Sequence, residues 1–443
     1  MPYPKSSLLF IIIFVFNLIN MALKKTAIGF SDFDMELEDF EVKKKGTLVS
    51  RALTMGPGGS IFSIPKIVNG IVYFGSMDFY IYALSCETGE VVWKFKTDGK
   101  MACNSAEFEK NIVYMGTLSG SLYALDAKTG KLLWRFKAGD GVTAKPLVLK
   151  DRLYLGSLDG SLYCLDMYGK EIWRFRTGDA IFHAPGICNG KIYFGSGDGN
   201  FYCVSSEGKE MWRFRSGDEI FNEAPPTFHD GIVYFGSMDN KFYGLDADTG
   251  KEVWTFHAGK YGNCFSPLVH KDRIYCGSRD GVFYALTLEG KEIWRFRAGS
   301  GVIGVTALCY KDRLYFGSED GNIYCLDMNG REAWRFKTSG PVWSPPAIWK
   351  DKLYDGSWDC HFYCINLEGK EVWRFASSDK TLSKLDPPYK IFEMVVKKAV
   401  DEEEEGEEKY DLDFSGRLSD DVYSVKSEYV TEVTYATRKD YGD

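Results

Sequence analysis

The sequence predicts an all-β protein, an eight-bladed β-propeller of four-stranded antiparallel blades, and three observations carry that prediction. Eight tryptophans, Trp93, Trp134, Trp173, Trp212, Trp254, Trp294, Trp334 and Trp373, recur at gaps of 41, 39, 39, 42, 40, 40 and 39 residues. A period near forty with a fixed aromatic anchor marks a repeat architecture. Between the anchors, short runs rich in Val, Ile, Tyr and Phe are split by turn pairs such as Asn69-Gly70, Thr129-Gly130 and Asp159-Gly160. That pattern reads as a meander of antiparallel strands. The second and third runs are apolar on both parities, as in Ile232-Val233-Tyr234-Phe235. A sandwich strand with one wet face would alternate, whereas blades set radially around an axis are covered on both faces.

The chain divides into three parts: an N-terminal segment 1–58, the repeats at 59–376, and a tail 377–443. Residues 8–19 form an apolar run of twelve, with Lys5 before it and Lys24-Lys25 after it. A spanning helix needs about 20 residues. Two readings stand side by side: a signal or anchor segment, and a true start at Met21 that would leave the first twenty residues out of the mature chain. Residues 47–55 weakly resemble the Trp phrase, with Ser50 in the Trp place, and suit a degenerate outer strand.

Each repeat holds four runs. The first is expected to end at an inner proline in six copies: Pro65, Pro146, Pro185, Pro226, Pro267 and Pro346. The second is the Tyr-Phe-Gly-Ser phrase, the third the Tyr-Ala-Leu-Asp phrase, and the fourth carries the Trp. In the fourth run Trp and the Phe two residues on share one parity, and basic residues fill the other. An outer strand with one wet face does this, and its charges block edge-to-edge pairing. The repeats end in phase, so no strand is shared between the first and last blades. Ring closure must then come from side-chain packing or the flanking segments.

The tail holds the whole charge excess. The chain carries 54 basic and 62 acidic residues, and the near-neutral repeats offer no bulk attraction to nucleic acid. Asp401–Glu408 is acidic at seven of eight positions, a composition that reads as solvated. In 421–437, Tyr423, Val425, Tyr429, Val433 and Tyr435 share one parity. That alternation suits a strand added to a blade edge or to a partner.

Eleven cysteines show no disulfide or metal spacing. Four of them (Cys164, Cys203, Cys325, Cys364) replace alanine in sister repeats, as small buried apolar residues would. Free thiols, a start at Met21 and the lack of a glycosylation sequon favour the cytoplasm. Membrane anchoring or export is the alternative that goes with the 8–19 run.

The phrase Gly-Ser-x-Asp-Gly … Tyr-Ala-Leu-Asp … Thr-Gly-Lys … Trp-Arg-Phe, repeated over 59–376, resembles the PQQ-like repeat. That repeat builds the quinoprotein alcohol dehydrogenase-like superfamily of eight-bladed propellers. Its members include PQQ-dependent dehydrogenases and non-catalytic propellers similar to the BamB outer-membrane assembly factor. The resembling dehydrogenases carry an adjacent cysteine pair, an acidic and amide calcium site and an aspartate base, usually with insertions. This sequence has no adjacent cysteine pair and no insertion, and Glu223 is the one acidic residue in the aligned inner positions. The resemblance therefore implies a non-catalytic member with no cofactor, PQQ being disfavoured.

A meander puts the loops between strands 2 and 3 on one face with the loops between blades; this is the top face. Loop-tip positions there hold Met77, Leu118, Leu158 and Met238, and the last repeat adds Trp343 and Trp358. Exposed, they would form a protein-binding ring; folded onto neighbouring loops, they would be structural. At the channel mouth the unusual residues are Asn104, Lys145, His183, Asn222, Glu223 and Asn263. Lys145, His183 and Glu223 come from adjacent blades and could form a polar small-molecule site; scattered polar residues in a wet mouth are the plain alternative. The eight ladder tryptophans are expected to dock one blade on the next. Rim arginines such as Arg135, Arg174 and Arg213 fit edge protection better than polyanion binding. Cys360-His361-x-x-Cys364 has too few ligands for a closed zinc site. The expectation is a monomeric protein-interaction scaffold, with a small-molecule or PQQ-dependent oxidoreductase as the alternative.

Overall fold

In the computed structural model, the described residues are 59–377 apart from 62, 102–105, 183, 222–223, 261, 264 and 300–305. They form eight four-stranded antiparallel sheets with each sheet ordered by sequence. The blades span 66–96, 107–137, 147–176, 186–215, 227–257, 268–297, 308–337 and 347–376. No helix occurs among the described residues. The readings at 8–19, 47–55 and 421–437 lie outside them.

Burial follows the parity argument. Strand 2 is buried on both faces in every blade, as in Arg152–Gly156, where only the first residue reaches solvent. Strand 4 alternates, as in Glu171–Arg176. It also carries a bulge in every blade, in blade 2 between the Ala124 and Leu125 pairings. Bulges and charges together protect the exposed rim. The innermost strand has only three residues, as in Lys66–Val68. The recurrent inner proline precedes it rather than ending it: Pro65 comes just before Lys66, and Pro146 just before Leu147. A residue without an N–H costs no ladder bond at that entry point.

The ladder tryptophans are the joints between blades. The Trp93 indole N–H donates to the Ala127 carbonyl of blade 2 at 2.8 Å, and Trp134 reaches Met167 of blade 3 at 2.9 Å. Each indole lies under the turn glycine of the next blade. At Gly169 φ is +84°, and a Cβ there would come within 2.5 Å of the Trp134 ring. The turn needs the left-handed backbone and the indole needs the space, so only glycine serves. The series closes on itself, with Trp373 of blade 8 donating to the Cys86 carbonyl of blade 1 at 3.2 Å. Trp254 is the exception, because its buried indole N–H has no hydrogen-bond partner.

Closure uses the chain ends in place of a shared strand. In ordinary junctions a Ser or Thr hydroxyl donates two residues on, as Thr97 does to Gly99 at 2.8 Å. At the seam between blades 8 and 1, Ser377 makes the same bond to the Gly59 carbonyl at 2.6 Å, across 318 residues of sequence. Ile61 N–H then donates to Ser357 and Met77 N–H to Ser60, both at 3.3 Å. Phe74 stacks on Phe362 at 5.2 Å, and Lys350 pairs with Glu87 at 2.7 Å. Both flanking segments therefore leave the propeller at one point, the top of this seam.

Candidate functional site

The Asp of the Gly-Ser-x-Asp-Gly phrase is a structural clamp. Asp198 accepts from the Tyr202 hydroxyl at 2.7 Å and from Gly178 N–H of the preceding repeat at 2.7 Å. Blade 2 has Ser119 in that place, and the carboxylate comes instead from Asp98, one repeat earlier. Asp98 accepts from Ser119, Ser121 and Tyr123 and pairs with Arg135. Partial burial would raise its pKa, but these partners hold it at about 2. The same clamp is thus built from a different chain position. Elsewhere the rim arginines are neutralised on their own strand, as Arg174 is by Glu171 at 2.6 Å.

The loop tips do not form an exposed ring. Met77 is fully buried and offers no surface. Leu118, Leu158 and Met238 are half-buried. Leu158 lies against Gly141 and Met238 against Gly262, so these side chains fold onto neighbouring loops.

At the channel mouth Lys145 is drawn into a different cluster from the expected one. Its ammonium pairs with Glu107 at 2.7 Å, and Lys66 reaches the same carboxylate at 3.5 Å. Three blades thereby meet through one carboxylate with 12% side-chain exposure. Burial alone would raise the Glu107 pKa, but the two ammonium groups hold it at about 2. Glu107 was legible as a charged residue opening an inner strand, yet alignment on the Tyr of the second strand puts weight on Glu223 instead. Glu223 is therefore not the one acidic residue in the inner positions. Asn104, His183, Asn222 and Glu223 lie outside the described residues. Asn263 is fully buried and donates to the Ala258 carbonyl at 3.1 Å, which makes it a loop brace.

Blade 8 departs most from the repeat. Trp343 and Trp358 meet edge to face, with ring centroids 4.6 Å apart, and both are half-buried. Trp349 covers Gly70 of blade 1. Cys360 takes the loop position that is glycine in most blades and adopts φ +65°, as Phe79 does across the seam at +72°. Left-handed backbone at such residues costs about 1–2 kcal/mol each, so this corner stores strain. In strand 2 of blade 8, Asp355 stands where the other blades have Phe, Met, Leu or Cys. It is fully buried and accepts from Ser344 at 2.5 Å. Burial pushes its pKa well above the usual range, against the Ser344 and Gly356 donors. Among the described residues no group of three or more His, Cys, Asp or Glu is placed to hold a metal ion.

Comparison with known proteins now has a geometry to meet. A family model described as outer membrane protein assembly factor BamB matches residues 77–180, 159–289 and 279–407. The chain belongs to this family. No curated protein matches it. Among solved structures, BamB from Moraxella catarrhalis superposes with a TM-score of 0.58 at 20% identity, covering 66% of this chain and 90% of that one. The computationally designed Ika8 protein gives 0.61 at 18%, over 77% and 100%. A europium-containing methanol dehydrogenase gives 0.57 at 15%, over 72% and 88%. At these identities the structural likenesses establish the propeller fold.

Proposed function

We propose that this BamB-family propeller is a non-enzymatic scaffold that binds a protein partner on its top face, at blade 8. The observation that carries the reading is the Trp343–Trp358 pair, set where the repeat pattern breaks. Half-buried tryptophans on a rigid, strained corner have the properties of interface anchors: large apolar area and little entropy left to lose. Both flanking segments start beside this corner, so a partner seated there also meets them.

The described residues give little support to a quinone with its calcium ion. The channel-lining carboxylate Glu107 is already held by two lysines, and a hard cation would have to displace both. Nucleic acid is disfavoured because the rim arginines carry carboxylate partners.

The test is affinity capture from the native source with wild type, Trp343→Ala, Trp358→Ala and the rim control Ile293→Ala. Loss of a common partner with both tryptophan variants, and its retention by the control, supports the reading. Equal recovery with all four, at unchanged thermal midpoints, overturns it.

A further inference from the structure

Seven of the eight outer strands expose a large apolar residue at the bulge, but blades 1 and 2 differ at the position before it. Six blades place a glutamate there, and in five it pairs with the arginine three residues on, as Glu332 does with Arg335 at 2.6 Å. That pair lays a carboxylate across the edge and keeps other strands away. Blade 1 has Val91 and blade 2 has Leu132 instead. With the bulge residues Val92 and Leu133, all four are 41–48% exposed. Strand 4 of blade 2 (Leu132–Lys137) has no acidic residue, and Lys131 precedes it. Two adjacent rim edges have thus lost their gatekeeper and gained apolar surface. Beyond the bulge, the outer edge at Trp134–Lys137 pairs with no further strand among the described residues.

We infer that this edge of blade 2 is the docking site of the chain's own C-terminal segment 421–437, added as a fifth strand. The last described residue, Ser377, sits at the blade 8–blade 1 seam, next to blade 1. Forty-three residues separate it from 421. At about 3.3 Å each they reach well over 100 Å, enough to cross blade 1 with slack. The segment alternates as the site requires. Tyr429 and Val433 share a parity to cover Leu132 and Leu133, while Glu428 and Glu432 fall on the other. Main-chain bonds to a sheet edge supply affinity, and alternate side chains supply register.

Hydrogen exchange on the full-length chain tests this. The expected result is at least tenfold slowed exchange at alternate amides of 421–437. The slowing disappears in Leu132→Glu/Leu133→Glu but persists in Val253→Glu, which alters the edge of blade 5. A second variant, Val425→Asp/Val433→Asp, leaves the propeller sequence intact and is expected to speed exchange at Trp134–Lys137. Unprotected amides in wild type overturn the inference, as does protection indifferent to the blade 2 variant. Protection that fades on dilution also overturns it, by assigning the site to a second copy of the chain.

Discussion

Replacing Lys145 by methionine keeps the length of the side chain and removes the ammonium nearest Glu107. Among the described residues, the carboxylate then keeps Lys66, at 3.5 Å, as its charged partner and the Phe108 N–H at 2.9 Å, in a nearly enclosed position. In the native protein its pKa falls from the ordinary 4.5 to about 2, which at about 1.4 kcal/mol per pH unit is worth about 3 kcal/mol. The sign follows from the depression. The stability is fully present above pH 4.5 and drains away as pH falls from 4.5 toward 2. Most of it depends on the 2.7 Å partner, so Lys145→Met is expected to lose about 2–3 kcal/mol at pH 7. The gap between native and variant should narrow to about half by pH 3, where unfolded carboxylates are already protonated. Adding Glu107→Gln should recover part of the loss, because the uncompensated buried charge goes with it. Urea unfolding followed by tryptophan fluorescence at pH 7 and pH 3 measures all three proteins. A variant within about 0.5 kcal/mol of native at pH 7 would refute the account. A loss equal at both pH values would assign it to packing instead of charge.

Two further expectations follow from the joints and from blade 8. Trp93→Phe removes a 2.8 Å bond to Ala127, whereas Trp254→Phe removes an indole N–H that has no partner. Trp93→Phe should therefore cost about 1–2 kcal/mol more in urea unfolding, and equal losses would count against the joint. Asp355→Leu installs the residue that blade 3 has at Leu155. Because the Asp355 pKa is raised, its contribution is present below the ordinary 3.8 and is lost as pH rises. The substitution should thus gain stability, by about 1–2 kcal/mol at pH 7 and less at pH 4. A gain that does not grow with pH would show that the carboxyl is not held neutral.

The sequence by itself determined the blades, because their causes are local and repeated eight times. Period, turn pairs and two-sided apolar strands are each read within forty residues, and the Trp phrase shows which strand lies outermost. The neutral rim was legible for the same reason, since glutamate and arginine stand three apart on one strand. Proline placement was misread because a proline beside a run looks the same whether the run ends or begins there. What only the tertiary structure decided are the contacts between repeats. Nothing in the sequence aligned Asp98 with the loop of the next blade. Nor did anything in it bring Lys66, Glu107 and Lys145 from three blades onto one carboxylate, or match Ser377 to Gly59 across the whole ring. Loop-tip exposure was equally out of reach. Whether Met77 faces water or folds inward depends on the loop of the neighbouring blade, and a sequence period does not say how closely that neighbour approaches.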